Sequence, residues 1–459
     1  MQGRHKIVEK WKMNKQEGLA LLILAAFYLI FCFTFGVQIC ADSNSYIKMT
    51  TAREPVYPLL LAIFRFLFGE VNYLFFVVVF QNLLMAYAVW KIVIFCTRKF
   101  QLKWFLTYGM ILFHFAVAFL CQFAAGRASI YPNSILTEGI TLSLWLLFIC
   151  KLLEALYSGK IKPVVGAMIL AAIMMDTRKQ MAITYIVLFA TLLLGWIGSK
   201  GYLKKMGITL GMILLSILLA IGGTRLYNYS LHGAFAQNTR DMNLVLTTTL
   251  YVADREDAAL IEEESVRNLF ITVFDILDEE ECNYRYAGEG WRNLEAHYGA
   301  HYDTITVDTT GPMFIEYAIA EGFAEGLPAE QEADRMSAVI VQSLLIDNLS
   351  TYASVYLSSA LNGMINSIAK RGGLLDYYAL FAYMIYLILM LKCLLNRESR
   401  TIGLMALTVF IGIAVNVGVA AALIFCQTRY MIYNMALFYM ALLLMLWITG
   451  SSFFEKRKK

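Results

Sequence analysis

The sequence predicts an all-α polytopic membrane protein with about ten transmembrane helices, outer juxtamembrane helices and one extracytoplasmic, mostly helical insert. Three observations carry this. Of 459 residues, 59% are hydrophobic and only 16% charged, against about 25% charged in soluble domains, and mean hydropathy is +0.61. Apolar runs of the roughly 20 residues needed to cross a bilayer recur along the chain. The charges are also segregated: residues 226–346 hold 22 acidic residues, six arginines and no lysine, a formal −16, which leaves +20 elsewhere in a chain of +4. A basic membrane part joined to an acidic soluble insert fits one domain placed outside the cell, and it argues against nucleic-acid binding.

The candidate spans run 18–38, 71–95, 104–124, 133–151, 163–176, 180–198, 205–224, 374–395, 402–425 and 430–449. The first apolar run is too long for a signal-peptide core of roughly 7–15 residues and is expected to be retained. Basic residues gather before it (Arg4, Lys6, Lys10, Lys12, Lys15) and in alternate loops (Arg98, Lys99 and Lys103; Lys160 and Lys162; Lys200, Lys204 and Lys205; Lys392, Arg397 and Arg400). They recur in the tail from Lys456 to Lys459. By the positive-inside rule those loops and both termini are cytoplasmic, in the cell membrane. Residues 57–68 are too short to cross and predict a surface helix. The apolar stretch 351–370 is also read as an amphipathic surface helix, because an eleventh span would expel the basic tail. The organisation expected is a seven-span module over 1–225, the insert with its surface helices over 226–373, and a three-span module over 374–459.

With that orientation, few charges remain on the outer side: Asp42, Lys48, Arg53, Glu54 and Arg65; Arg127 and Glu138; Asp176, Arg178 and Lys179; and Arg429. The positive-inside bias selects against the basic ones, and charge at a membrane depth is costly without a partner or a task. Each has a plain structural reading. Asp42 fits a helix cap, Arg178 a snorkelling anchor, Arg429-Tyr430 an interfacial anchor, and Glu138 an ion pair with Arg127 or Arg178. Together they bring arginines and acids from four distant loops to one depth. Planar guanidiniums in that setting suit a phosphate, and a lipid phosphate or pyrophosphate is the anion that an outer membrane face offers.

Asp42 just beyond the first span, followed by Arg53-x-Pro55-x-Tyr57-Pro58, resembles the GT-C superfamily of polytopic glycosyltransferases, which includes protein O-mannosyltransferases and aminoarabinose transferases. Ser134–Glu138 is similar to the segment in which those enzymes place an acid opening a span. Thr177-Arg178 is similar to their T-R-P element, and Arg429-Tyr430 to their R-Y before a late span. The resemblance covers residues 17–225 and the last span. It implies a polyprenyl-phosphate-linked sugar donor, a glycan, lipid or protein acceptor, contact with membrane lipids, and inversion by single displacement. It implies Asp42 as the base, Glu138 as an orienting acid, and Arg53, Arg178 and Arg429 at the donor phosphate. Arg127, Tyr57 and Tyr430 are additional candidates. Lys179 stands where the family usually has proline, and the first loop carries one Asp rather than a paired acid; a divalent metal stays an open alternative that these residues do not support, and no other cofactor is called.

Within the insert, helical patterns cover 258–276 and 313–346, and the acidic runs 262–264 and 278–281 read as solvated faces. His297 and His301 have the spacing of a zinc pair, but a surface or acceptor-groove role is the preferred reading. His114 reads as a hydrogen-bonded packing residue in the third span. The competing functional expectations are a cell-envelope glycan polymerase or ligase using lipid pyrophosphate donors, which would lack the early Asp42…Arg53 element, and a lipid or solute transporter. A transporter predicts charged or broken helices at mid-bilayer.

Overall fold

The computed structural model describes residues 13–124 and 130–456; Arg127 lies outside them. Among the described residues the protein is all helical, and extended pairing is confined to one isolated bridge between Gln38 and Ser134. Among the described residues eight helices are long and apolar enough to cross a membrane, which makes this a multi-pass membrane protein: Lys15–Phe35, Val56–Lys99, Trp104–Cys121, Glu138–Ser158, Tyr202–His232, Leu374–Leu395, Arg400–Leu423 and Thr428–Gly450. A ninth arises only if Leu327–Leu344 and Leu349–Asn366, bent by 107°, form one broken span. Two of the expected spans are shorter apolar helices, Ile161–Met175 and Lys179–Gly195. At 1.5 Å per residue the first of these is only about 22 Å long, short of the roughly 30 Å hydrocarbon core.

The chain divides into two compact units: residues up to Cys40 with Phe64–Cys150, and Ala41–Ile63 with residues from Lys151 onward. In the first, Asn14 and Glu17 form a capping box that starts Lys15–Phe35. Glu17 is buried, but Arg98 grips its carboxylate through two nitrogens at 2.6 Å each, so the charge is not left unpaired. Val56–Lys99 breaks at Gly69, whose φ of 75° a side chain would resist. The expected short helix 57–68 and the expected span 71–95 are therefore its two limbs.

The expected span 133–151 is displaced: the helix begins at Glu138 and runs to Ser158. Ahead of it, Tyr131–Asn133 is a single 3-10 turn and the chain stays irregular. Its buried polar groups are claimed by other helices. Gln81 donates to the carbonyls of Pro132 (2.8 Å) and Ser134 (3.1 Å), and Asn82 donates to Asn133 Oδ1 (2.9 Å). Asn133 in turn donates to the carbonyls of Phe31 and Gly36. With these carbonyls and the Asn133 amide paired, those backbone groups have no need of helical hydrogen bonds inside an apolar surrounding.

In the second unit, the insert builds its own core from Leu246, Tyr251, Phe270, Tyr298, Phe314 and Ile340. Glu264–Glu279 turns Val266, Leu269, Phe270, Val273, Phe274 and Leu277 inward, the spacing of one helix face. Each such apolar side chain contributes about 1.5–3 kcal/mol on burial. The helical pattern expected over 313–346 is interrupted, giving Gly311–Ala320 and Leu327–Leu344, with Gly322 (φ 98°) and Gly326 (φ 90°) making the turn. The acidic runs are not wholly solvated: Arg335 binds Glu263 through two nitrogens (2.9 and 2.8 Å), and Asp278 pairs with Arg285 and Tyr286. The stretch expected as a surface helix over 351–370 forms the helix Leu349–Asn366, where Gly363 lies against Cys426 and Val417.

Candidate functional site

Asp42 occupies the cap position of the short helix Ser43–Ile47, yet its side chain makes no capping hydrogen bond. The capping reading of this residue is therefore replaced by another role. One carboxylate oxygen, Oδ1, accepts from Arg53 Nη2 at 2.9 Å, and the other, Oδ2, is 3.5 Å from Arg429 Nη1. The side chains of Asp42, Arg53 and Arg429 are 36%, 26% and 24% exposed, so the group is partly desolvated but open to a ligand.

The loop between Asp42 and Arg53 is folded back on itself. Met49 adopts φ 55°, a left-handed conformation that is unfavourable for a non-glycine residue. Surrounding contacts hold it there. His232 Nε2 bonds the Met49 carbonyl (3.0 Å), the Thr239 amide donates to the Thr51 carbonyl (3.4 Å), and Thr51 Oγ1 donates to Glu330 (2.7 Å). Backbone held in this way concentrates at functional sites. The reversal returns Arg53 to the short helix, where Nε donates to Ser45 Oγ (2.7 Å), Nη1 to the Tyr46 hydroxyl (3.2 Å) and Nη2 to Asp42. The guanidinium also lies 4.6 Å from the Tyr46 ring centroid. Burial opposes the charge on Arg53, but Tyr46 and Asp42 outweigh it, and its pKa is raised. Burial likewise pushes the neighbouring Glu54 carboxyl up.

Arg178 and Arg429 converge on one aromatic ring, that of Tyr430, with centroid distances of 4.5 and 4.7 Å. Arg429 Nη2 also donates to the Tyr430 hydroxyl. The Val56 amide donates to the Asp176 carbonyl at 2.9 Å, fixing the chain just ahead of Arg178 to the loop that carries Arg53. Lys179, at the position where the resembled family has proline, pairs with Asp241 of the insert. Two guanidiniums thus hold one carboxylate, and a third, Arg178, shares the Tyr430 ring with one of them, an arrangement able to hold a multiply charged anion beside a proton acceptor.

The remaining candidates are placed differently. Tyr57 is fully buried and packs edge-on to Tyr46 (5.3 Å), the ring that Arg53 also approaches. Glu138 opens its helix in the other unit, buried, with Thr137 Oγ1 donating to its carboxylate at 3.2 Å. The rings of His297 and His301 lie tilted against each other, centroids 4.2 Å apart; Tyr251 contacts the first ring and the His297 carbonyl the second. Among the described residues, no group of three or more His, Cys, Asp or Glu could hold a metal ion.

Residues outside the candidate set also build the site. Asn416, buried in Arg400–Leu423, donates to the Tyr430 carbonyl at 2.6 Å, and Gln180 donates to Asn416 Oδ1 at 3.2 Å. A lone amide inside an apolar helix is the signal that marks it. Ser45 and Tyr46 sit within the loop motif itself, but only their bonds to Arg53 reveal their part. No family model matches this chain, nor does any curated protein or solved structure.

Proposed function

We propose that this protein is a membrane glycosyltransferase that moves a sugar from a polyprenyl-phosphate donor to an extracytoplasmic acceptor. The observation that carries the reading is the Asp42 carboxylate held between Arg53 and Arg429, with Arg178 over the ring of Tyr430. In this reading Ile161–Met175 and Lys179–Gly195 also cross, giving ten spans of GT-C type. Both termini then face the cytoplasm, and the cluster and insert lie outside.

The chemistry follows from the charges. The acceptor hydroxyl attacks the anomeric carbon while the bond from that carbon to the phosphate oxygen breaks. The hydroxyl proton passes to Asp42, and the bonding electrons leave with the phosphate. One displacement inverts the anomeric centre. Arg178 and Arg429, with Arg53 close by, offset the negative charge that grows on the leaving phosphate, at about 1.5–3 kcal/mol per charge-assisted hydrogen bond. No nucleotide is required, which suits a site on the outer face.

The test is transfer from a synthetic polyprenyl-phosphate sugar in proteoliposomes, with glycan, lipid and peptide acceptors compared. Asp42→Asn is expected to insert and melt normally while losing transfer. Transfer by that variant at the wild-type rate would remove Asp42 as the base.

A further inference from the structure

One side chain of the insert ties together two strained segments of the chain. Glu330, in the helix Leu327–Leu344, is largely buried, with 17% of its side chain exposed. Its Oε2 accepts from Thr51 Oγ1 at 2.7 Å and from Thr239 Oγ1 at 2.6 Å. Bonds of that length fit hydroxyls donating to a carboxylate, which are roughly twice as strong as bonds between neutral groups. The other oxygen, Oε1, lies 4.0 Å from Arg240. One turn along the same helix face, Asp334 accepts from the backbone amides of Arg240 and Met242. Arg240 (φ 68°) and Met49 (φ 55°) are both left-handed without being glycine. Each stands one or two positions from a threonine that Glu330 holds, and such backbone persists only where its surroundings fix it.

The bond to Thr51 is stronger than the two contacts beside it. The Thr239 amide reaches the Thr51 carbonyl at 3.4 Å, beyond the usual range, and His232, which bonds the Met49 carbonyl, is exposed to competing water. Two residues after Thr51, Arg53 binds Asp42 Oδ1 at 2.9 Å and the hydroxyls of Ser45 and Tyr46. A run of bonds therefore leads from Glu330 through Thr51 and Arg53 to the Asp42 carboxylate. Arg178 and Arg429 are placed by other means, against the ring of Tyr430, whose backbone carbonyl Asn416 holds.

We propose that Glu330 is a positioning residue of the candidate site: through Thr51 it fixes the loop that carries Arg53, and so sets the place of the Asp42 carboxylate. This rests on the glycosyltransferase reading and deepens it, since the placement of the base then depends on the insert. Because Arg178 and Arg429 lie off this path, a loosened loop lowers kcat and leaves the donor KM in place.

The experiment uses full-length protein in nanodiscs and compares wild type, Thr51→Val, Glu330→Ala, Glu330→Gln and Asp42→Asn. Thr51→Val leaves the bond from Thr239 intact and so isolates the contact with the loop. Two quantities are measured: hydrogen–deuterium exchange of the backbone amides of residues 43–53, and transfer from a synthetic polyprenyl-phosphate sugar at varied donor concentration. In Thr51→Val and Glu330→Ala, exchange is expected to be about tenfold faster and kcat about tenfold lower, with donor KM within about twofold of wild type. Glu330→Gln keeps an acceptor oxygen and is expected to recover most of both. Wild-type exchange in Thr51→Val overturns the inference whatever the transfer assay gives. Faster exchange with a wild-type kcat overturns the positioning role and leaves the glycosyltransferase reading standing. Absence of transfer by wild type, or undiminished transfer by Asp42→Asn, overturns that reading and the inference with it.

Discussion

Asp42 Oδ2 lies 3.5 Å from Arg429 Nη1, across 387 positions of sequence, while Oδ1 is bound by Arg53. In the proposed reading, a donor phosphate and this carboxylate compete for the same guanidiniums. Removing its charge is expected to affect binding and chemistry in opposite directions. Asp42→Asn should bind undecaprenyl phosphate about fivefold more tightly, equivalent to roughly 1 kcal/mol, while losing transfer. Titration of the purified variant decides it: weaker binding would mean that the carboxylate organises the arginines instead of competing for them.

Arg178 meets Tyr430 face-on, a geometry that a planar cation supports and an ammonium does not reproduce. Arg178→Ala is expected to raise the donor KM by about tenfold or to abolish turnover, and Arg178→Lys to recover little of it. Steady-state kinetics at varied donor concentration checks this. Unchanged donor KM and kcat in the alanine variant would leave Arg178 as an anchor only.

Asn416 reaches the site through the Tyr430 carbonyl. Asn416→Leu leaves that carbonyl and the Gln180 amide without their partner, at a cost of about 1–3 kcal/mol. A lower Tm and a reduced kcat are expected together, measured by a thermal shift and a transfer assay. Loss of Tm with intact kcat would confine Asn416 to packing.

Asp334 in the insert accepts from the backbone amides of Arg240 (2.7 Å) and Met242 (3.3 Å), yet burial outweighs them and holds its carboxyl at about 6. Because the folded state keeps this proton longer than the unfolded chain, the contribution is favourable at pH 4 and lost as pH rises towards 6 and beyond. After allowance for partial exposure, the loss is on the order of 1 kcal/mol. Asp334→Asn keeps one acceptor oxygen and cannot ionise, so its Tm should fall less than wild type between pH 4 and 7. Parallel slopes for the two proteins would show that Asp334 does not titrate in that window.

Much of the helical plan was readable because hydrophobic runs, glycines and charge clusters act locally. The length of 57–68, too short to cross, already set it apart from 71–95, and the acidic stretch 226–346 differs in composition from its flanks whichever residues pack nearby. The polar segment ahead of Glu138 was not readable in this way. Pairing by Gln81 and Asn82 is what keeps it irregular, and those partners lie about 50 positions away. The same limit applies to the cluster. An isolated Asp after a span is indistinguishable from a cap, and only the geometry shows its carboxylate turned to two arginines instead of to the amides of its own helix.

By itself, then, the sequence determined the helical class, the approximate spans, the acidic stretch 226–346 and the short list of charged residues, since each follows from local composition and the solvent it demands. Only the tertiary structure decided which of those charges meet, that Tyr57 is buried against Tyr46, and that Asn416 holds the Tyr430 carbonyl. Electrostatic and hydrogen-bond partnerships operate over a few ångströms, and chain segments hundreds of residues apart come that close only when the whole fold closes around them.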